Sequence, residues 1–377
     1  QSIPQRATYK LPLNLALARS KIHLCRPAFI PAFCPSQRFG LWGLAVAPGF
    51  ACNHCAGFKH FWPLAPVPRA LAALSLVAFR GCAALFQTPS GLTRRSSRSA
   101  FGGRLTSFVR HQLEVPMSVQ ICMVLFDREP RHDLDLIRRD FESRFQDSPS
   151  LTEPSESGTV LSFGLGECNA FIAPIEAAFP WSDLEGPCET SVLWPKAIEQ
   201  LRSHKGHSIV TVTGDASPGK LASHLTQLAT SVMATTPGAI GLFWSNSAMV
   251  IPKDMFTEFA ERVLPEGPPI NIWVDFRVGW KDDKTSSGFT TGLNSLGHKE
   301  FEVLSSPEKP SELRERLENL AYYVLENGPI LKDGDTLGVD ENEKIAVSFQ
   351  DSAFHQQGTV IQLTFPTKKK RLFGLFG

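Results

Sequence analysis

Residues 159–175 read TVLSFGLGECNAFIAPI. The runs TVLSFGLG (159–166) and CNAFIAPI (168–175) flank the short turn Gly166-Glu167, and apolar runs of this length around a turn read as two strands of a hairpin. What lies on either side decides the fold. Upstream, SVQICMVLFD (118–127) is a strand that is apolar on both sides of its pleat. DLDLIRRDFESRFQ (133–146) follows, with apolar residues at 134, 137, 141 and 145, the stripe of a helix. Downstream come a helix from Pro195 to Lys205, with Pro195 suited to its first turn and Gly206 beyond its end, and the strand HSIVTVTG (207–214). Strand, helix, strand, strand, helix, strand is the split βαβ order of a ferredoxin-like unit.

A long helix over 218–234 comes next, and then the order recurs. AIGLFWS (239–245) is a strand, KDMFTEFAERVL (253–264) a helix, INIWVDFRVGW (270–280) a strand, and FTTGLNSLGHKEFEVL (289–304) strand-like with a Gly kink. SELRERLENLAYYVLE (311–326) is a helix with a stripe at 313, 317, 320 and 324, and IAVSFQ (345–350) and VIQLTF (360–365) are closing strands. The expected fold is α+β: two ferredoxin-like-order (βαββαβ) pseudo-repeats, 117–215 and 239–366, joined by the helix 218–234, with antiparallel or mixed sheets.

The net charge of +1 conceals two unlike halves. Residues 1–116 hold 14 Lys and Arg against the single acid Glu114, while residues 117–377 hold 24 basic and 36 acidic residues. The first methionine is Met117, and five of the eight cysteines (Cys25, Cys34, Cys52, Cys55, Cys82) precede it. The early segment has no sustained period of 3.6 or 2 from which to build a core. Its apolar run ALAALSLVAF stops at Arg80, about half of the roughly 20 residues that a membrane helix needs. RRSSRSAFGGR (94–104) has the composition of a targeting segment, and the charge fits a nucleic-acid-binding arm, although the basic residues are scattered. The preferred expectation is upstream sequence translated ahead of a true start at Met117, or a disordered basic extension. Cys52-Asn-His-Cys55 lacks a second ligand pair at suitable spacing for zinc.

The body, 117–377, is acidic, which argues against nucleic acid. Its three cysteines (Cys122, Cys168, Cys188), with no secretory signal directly ahead of Met117, point to a reducing, cytoplasmic setting. The tail TKKKRLFGLFG (367–377) reads as a flexible basic/apolar end, with weak docking to a partner or an anionic membrane as the sharper alternative.

Three stretches invite chemistry. GDASPGKL (214–221) spells G-x-x-x-x-G-K between a strand and a helix, as a phosphate-binding loop does. Leu221 stands where the magnesium-binding hydroxyl belongs, and Pro218 removes a backbone N–H from the phosphate nest. A helix start capped by Asp215 or Ser217 is the simpler reading, with a nucleotide binder at 214–220 as a lesser alternative. DDKTSSGFTTGLNSLGH (282–298) offers Thr290, Thr291 and His298, and the preceding strand offers Asp275 and Arg277. These could orient a polar ligand, or Asp275 and Arg277 could simply pair on one strand face. WSDLEGPCETSVLWP (181–195) offers Asp183, Glu185 and Cys188. It reads as a connection turned by Gly186-Pro187, with the two acids either spent on capping or facing Arg277. If the chain is an enzyme, a hydrolase or transferase cleft formed by 183–189, 275–277 and 290–298 is expected, with Cys188 and His298 as the catalytic candidates. Without a complete catalytic constellation, the preferred reading is a non-catalytic binding or interaction domain for a protein or small polar ligand, with no cofactor and no metal.

At WSDLEGPC…LWP, WVDFRV, SSGFTTGLNSLGH and LENGPILKDGDTLG the chain resembles a bacterial family catalogued as domain of unknown function 4261. The resemblance spans essentially 117–377. It implies no activity, cofactor or catalytic residue.

Overall fold

The computed structural model describes residues 118–157, 159–338 and 343–366. The basic segment 1–116, with its CxxC, and the tail 367–377 lie outside the described residues. The elements in chain order are β1 (Ser118–Phe126), α1 (Leu134–Arg144), β2 (Ser155–Ser157), β3 (Val160–Leu165), β4 (Cys168–Ile175), α2 (Trp181–Thr190), α3 (Ala197–Leu201) and β5 (Gly206–Gly214). Then follow α4 (Pro218–Thr235), β6 (Ala239–Trp244), β7 (Met249–Pro252), α5 (Lys253–Glu258), a π-helical turn (Phe259–Val263), α6 (Ile270–Trp273), β8 (Asp275–Trp280) and β9 (Ser286–Thr291). A 3-10 turn (Asn294–Leu296), β10 (Phe301–Ser306), α7 (Pro310–Asn327), β11 (Thr336–Leu337), β12 (Ile345–Asp351) and β13 (Thr359–Thr364) complete it.

The architecture is α+β with two sheets, as the element order implied. The first runs β2-β3-β4-β5-β1-β6-β7, and each of its pairings is antiparallel. The second runs β11-β12-β13-β10-β9-β8 and is mixed, because β10 and β13 pair in parallel. This arrangement corrects the expected pair of ferredoxin-like units. A split βαβ places parallel strands in one sheet, whereas β1 lies antiparallel between β5 and β6. Moreover, β6, which was expected to open a second repeat at 239, completes the first sheet instead, together with the edge strand β7 that the sequence reading did not place. Element order along the chain does not encode which edge a strand joins.

Strand β1 is apolar on both faces because both are covered. Cys122, Val124 and Phe126 face the cluster containing α1 and α4, while Met123 and Leu125 face Phe179, Leu184, Cys188, Trp194 and Leu201 on the α2–α3 side. Helix α1 starts at Asp133, whose carboxylate accepts the Leu136 N–H at 2.9 Å, and its stripe buries Ile137 and Phe141. Helix α4 is not a linker. Leu221, Leu225, Leu228, Val232 and Met233 are all buried. Its buried hydroxyls bond back one turn, Thr226 Oγ1 to the Ala222 carbonyl and Thr230 Oγ1 to the Thr226 carbonyl, both at 2.8 Å. Thr226 Oγ1 also accepts the indole N–H of buried Trp273 at 2.9 Å, which ties α6 to α4. Helix α7 has the expected stripe, with Leu313, Leu317, Leu320 and Val324 buried, and it packs on β8 and β9. Fully burying a leucine of this kind contributes about 1.5–3 kcal/mol.

Gln120, 1% exposed in the middle of the molecule, joins the two sheets. Its Nε2 donates to the Ser295 carbonyl at 2.7 Å, and its Oε1 accepts from Asn246 Nδ2 at 2.5 Å. Nearby, Gly292 adopts φ +119°, and a Cβ there would lie 2.5 Å from the Trp273 carbonyl oxygen. Only glycine suits that approach.

Candidate functional site

The stretch 181–190 is one helix, α2, with Gly186 and Pro187 inside it. This corrects the expected turn at Gly186-Pro187. Proline removes one helical N–H, and burial of Pro187, Leu184 and Cys188 against the first sheet compensates. Thr190 Oγ1 donates to the Gly186 carbonyl at 3.0 Å. Trp194 closes over the sheet where Gly241 leaves room: a Cβ at Gly241 would stand 2.5 Å from the indole. Ser191 holds the connection. Its hydroxyl donates to the Val250 carbonyl of edge strand β7 at 3.3 Å and accepts the Trp194 N–H at 3.0 Å. The helix expected over 195–205 is the shorter α3, so the chain from 191 to 196 is free to act as a cover.

That cover meets β8. Pro187, Thr190, Ser191, Val192 and Leu193 line a small pocket together with Met249, Val250, Asn271, Asp275, Arg277 and Arg314. Its water-sized interior is about 20 Å³, enough for roughly one water. The pocket lies where edge strand β7 of the first sheet comes close to edge strand β8 of the second. Asp275 and Arg277 share a strand face and are paired, with Arg277 Nε donating to Asp275 Oδ2 at 2.5 Å. Arg314 on α7 donates to the Phe276 carbonyl at 3.0 Å, pairs with Glu318 at 2.8 Å and stacks its guanidinium over the Phe276 ring. Asn271 Nδ2 donates to the same Glu318 carboxylate at 3.3 Å. The two arginine side chains are 28% and 27% exposed, half-buried and still open to solvent.

The other proposed site residues lie elsewhere. Asp183 and Glu185 are on α2 but do not line the pocket, and Glu185 accepts the Trp181 indole N–H at 3.1 Å. Cys188 is buried, and burial first, with the charge of Glu189 second, pushes its thiol up to about 12. Thr291 lies opposite Asp275 in the β8–β9 register, and Thr290, one residue away, points to the other face. There Thr290 Oγ1 donates to Glu300 Oε2 at 2.8 Å and accepts the Phe301 N–H at 2.8 Å. His298 follows the 3-10 turn. Its Nδ1 is buried without a partner among the described residues, and burial lowers its pKa.

Two buried glutamates escaped the sequence reading. Glu300, 2% exposed, gathers the Gly292 and Asn294 N–H groups at 2.8 and 2.9 Å as well as Thr290. Desolvation raises its pKa, and those hydrogen bonds oppose the shift. Glu302 is fully buried and gathers Ser352 Oγ, the Ala353 N–H at 2.9 Å and Gln356 Nε2 at 3.2 Å. The available signal was two acids at spacing two that interleave with the apolar residues of EFEVL (300–304).

The 214–220 turn is a helix start. Ser217 Oγ accepts the Lys220 N–H at 3.4 Å, Pro218 opens α4 and Lys220 is exposed. Among the described residues no cluster of three His, Cys, Asp or Glu could hold a metal ion, and no helix is long and apolar enough to cross a membrane.

Fold and site together define a two-sheet α+β protein with a small arginine-lined pocket between two sheet edges. Residues 289–364, from β9 to β13, match the family model described as Domain of unknown function (DUF4261). No curated protein and no solved structure matches the chain.

Proposed function

We propose that the protein is a non-catalytic binding or interaction domain of the bacterial cytoplasm, and that its ligand seats in the pocket formed by 187–193, Asn271, Asp275, Arg277 and Arg314. One observation carries this reading: two half-buried guanidiniums open into a pocket whose lining holds no cysteine or histidine and whose one carboxylate, Asp275, is already paired with Arg277. Cys188 and His298, the groups that chemistry would need, are absent from that lining. The interior holds about one water, so a group at the end of a larger ligand enters it rather than a whole substrate. The cytoplasmic setting is supported by three free cysteines among the described residues.

The test is a fragment and peptide screen on the full chain by thermal shift, with hits mapped by NMR. Hits are expected to perturb Arg277 and Arg314 and to be lost in Arg277→Ala. Turnover of any hydrolase or transferase substrate that disappears in Cys188→Ala or His298→Ala would overturn the reading.

A further inference from the structure

We infer that the group this pocket takes is a single carboxylate, gripped between Arg277 and Arg314; the inference rests on the binding reading above. The first argument is the use of donors. Arg277 spends Nε on Asp275, and among the described residues its Nη1 and Nη2 donate to nothing. Arg314 spends Nη1 on the Phe276 carbonyl and Nε on Glu318, which leaves Nη2. Three guanidinium nitrogens on two elements, β8 and α7, therefore lack acceptors beside one pocket. Planar forks of this kind match carboxylate and phosphate oxygens.

Charge and size then choose between those anions. Each arginine already faces one carboxylate, Arg277 with Asp275 and Arg314 with Glu318. A monoanion adds one negative charge to that balanced set, whereas a phosphate dianion adds two beside the Asp275 carboxylate and is repelled more strongly. The interior of about 20 Å³ admits a flat two-oxygen head more readily than a tetrahedral one. Beside the pocket stands Val192, 72% exposed, with Leu193 half-buried next to it. The carboxylate is thus the polar end of a ligand whose apolar part rests on the 192–193 cover. A free organic acid and an acidic residue of a partner protein share this chemistry.

The experiment follows the arginine side-chain N–H resonances of the full chain. The chain is titrated at fixed ionic strength with sodium acetate, inorganic phosphate, and a hexapeptide blocked at both ends and carrying one Glu. Acetate is expected to shift the Arg277 and Arg314 signals saturably. Arg277→Lys and Arg314→Lys, which keep the charge but lose the fork, should each weaken binding at least about tenfold in a chain that still unfolds in one cooperative transition. A peptide affinity about tenfold above that of acetate identifies a protein partner as the source, and equal affinities identify a free acid. Phosphate shifting both signals more than acetate would overturn the carboxylate while leaving the binding pocket in place. An acetate effect that survives in both lysine variants, or none at all, also overturns it.

Discussion

Thr290 and Glu300 form a buried hydroxyl–carboxylate pair, with Thr290 Oγ1 donating to Glu300 Oε2 at 2.8 Å. Around that pair the hydroxyl-rich stretch that looked like a ligand site becomes a scaffold. Glu300→Ala strands the Gly292 and Asn294 N–H groups in the interior and is expected to cost about 3 kcal/mol, read as a lower urea midpoint. Glu300→Gln keeps an acceptor and should cost clearly less.

The same carboxyl gives a pH signature. Burial raises its folded pKa, so the folded state holds the proton longer than the unfolded chain. Its contribution is greatest below the unfolded carboxyl pKa and declines as pH rises through the folded one. The stability of the native chain relative to Glu300→Gln should therefore fall as pH is raised from about 4. A flat difference between the two would count against this assignment.

His132 acts in the opposite direction. Its ring nitrogens meet Thr236 Oγ1 at 2.8 Å and Ser208 Oγ at 2.9 Å, and burial lowers its pKa from 6.5 to about 4. The stability this neutral ring provides is complete above 6.5 and is lost as pH falls towards 4. The loss should reach about 3 kcal/mol, and His132→Gln should flatten the urea midpoint across that window.

Arg316 sits between Glu308 and Glu343, with its guanidinium over the Phe365 ring. Arg316→Met leaves two half-buried carboxylates facing each other and should destabilise by about 3 kcal/mol. Removing both acids as well, in a triple variant, should recover part of that loss. Denaturant melts of the set measure it.

Cys188 should resist alkylation. With its thiol near 12 and its side chain packed between α2 and the first sheet, iodoacetamide at neutral pH is expected to react far more slowly than with a free thiol. Reaction should become fast only once urea unfolds the chain. Rapid labelling of the folded protein would revive the nucleophile reading.

Much of the fold was legible because period survives in sequence. The stripes of α1 and α7, the two-faced β1 and the β3–β4 hairpin are all where the pattern placed them. The stretch 270–280 read as one strand, but Val274 marks a break between α6 and β8, since short apolar runs of either kind look alike. The stretch 289–304 divides at the 3-10 turn because Glu300 supplies acceptors that no local pattern reveals. Helix α2 was hidden by Gly186-Pro187, whose cost is met by burial on the sheet. Asp275 and Arg277 were legible as a pair from their spacing, but Arg314 was not, because it reaches them from a helix nearly forty residues on.

Strand β1 is first among the described elements and interior to its sheet, with Ser118 opposite Gly214 and Cys122 opposite Trp244. During synthesis it emerges well before either neighbour, apolar on both faces and with neither edge filled. Closure must wait for long-range partners, which makes assembly of the first sheet slow and late compared with formation of the local β3–β4 hairpin. Until then the nascent chain presents a sticky strand, and its dependence on chaperones should centre on residues 118–126.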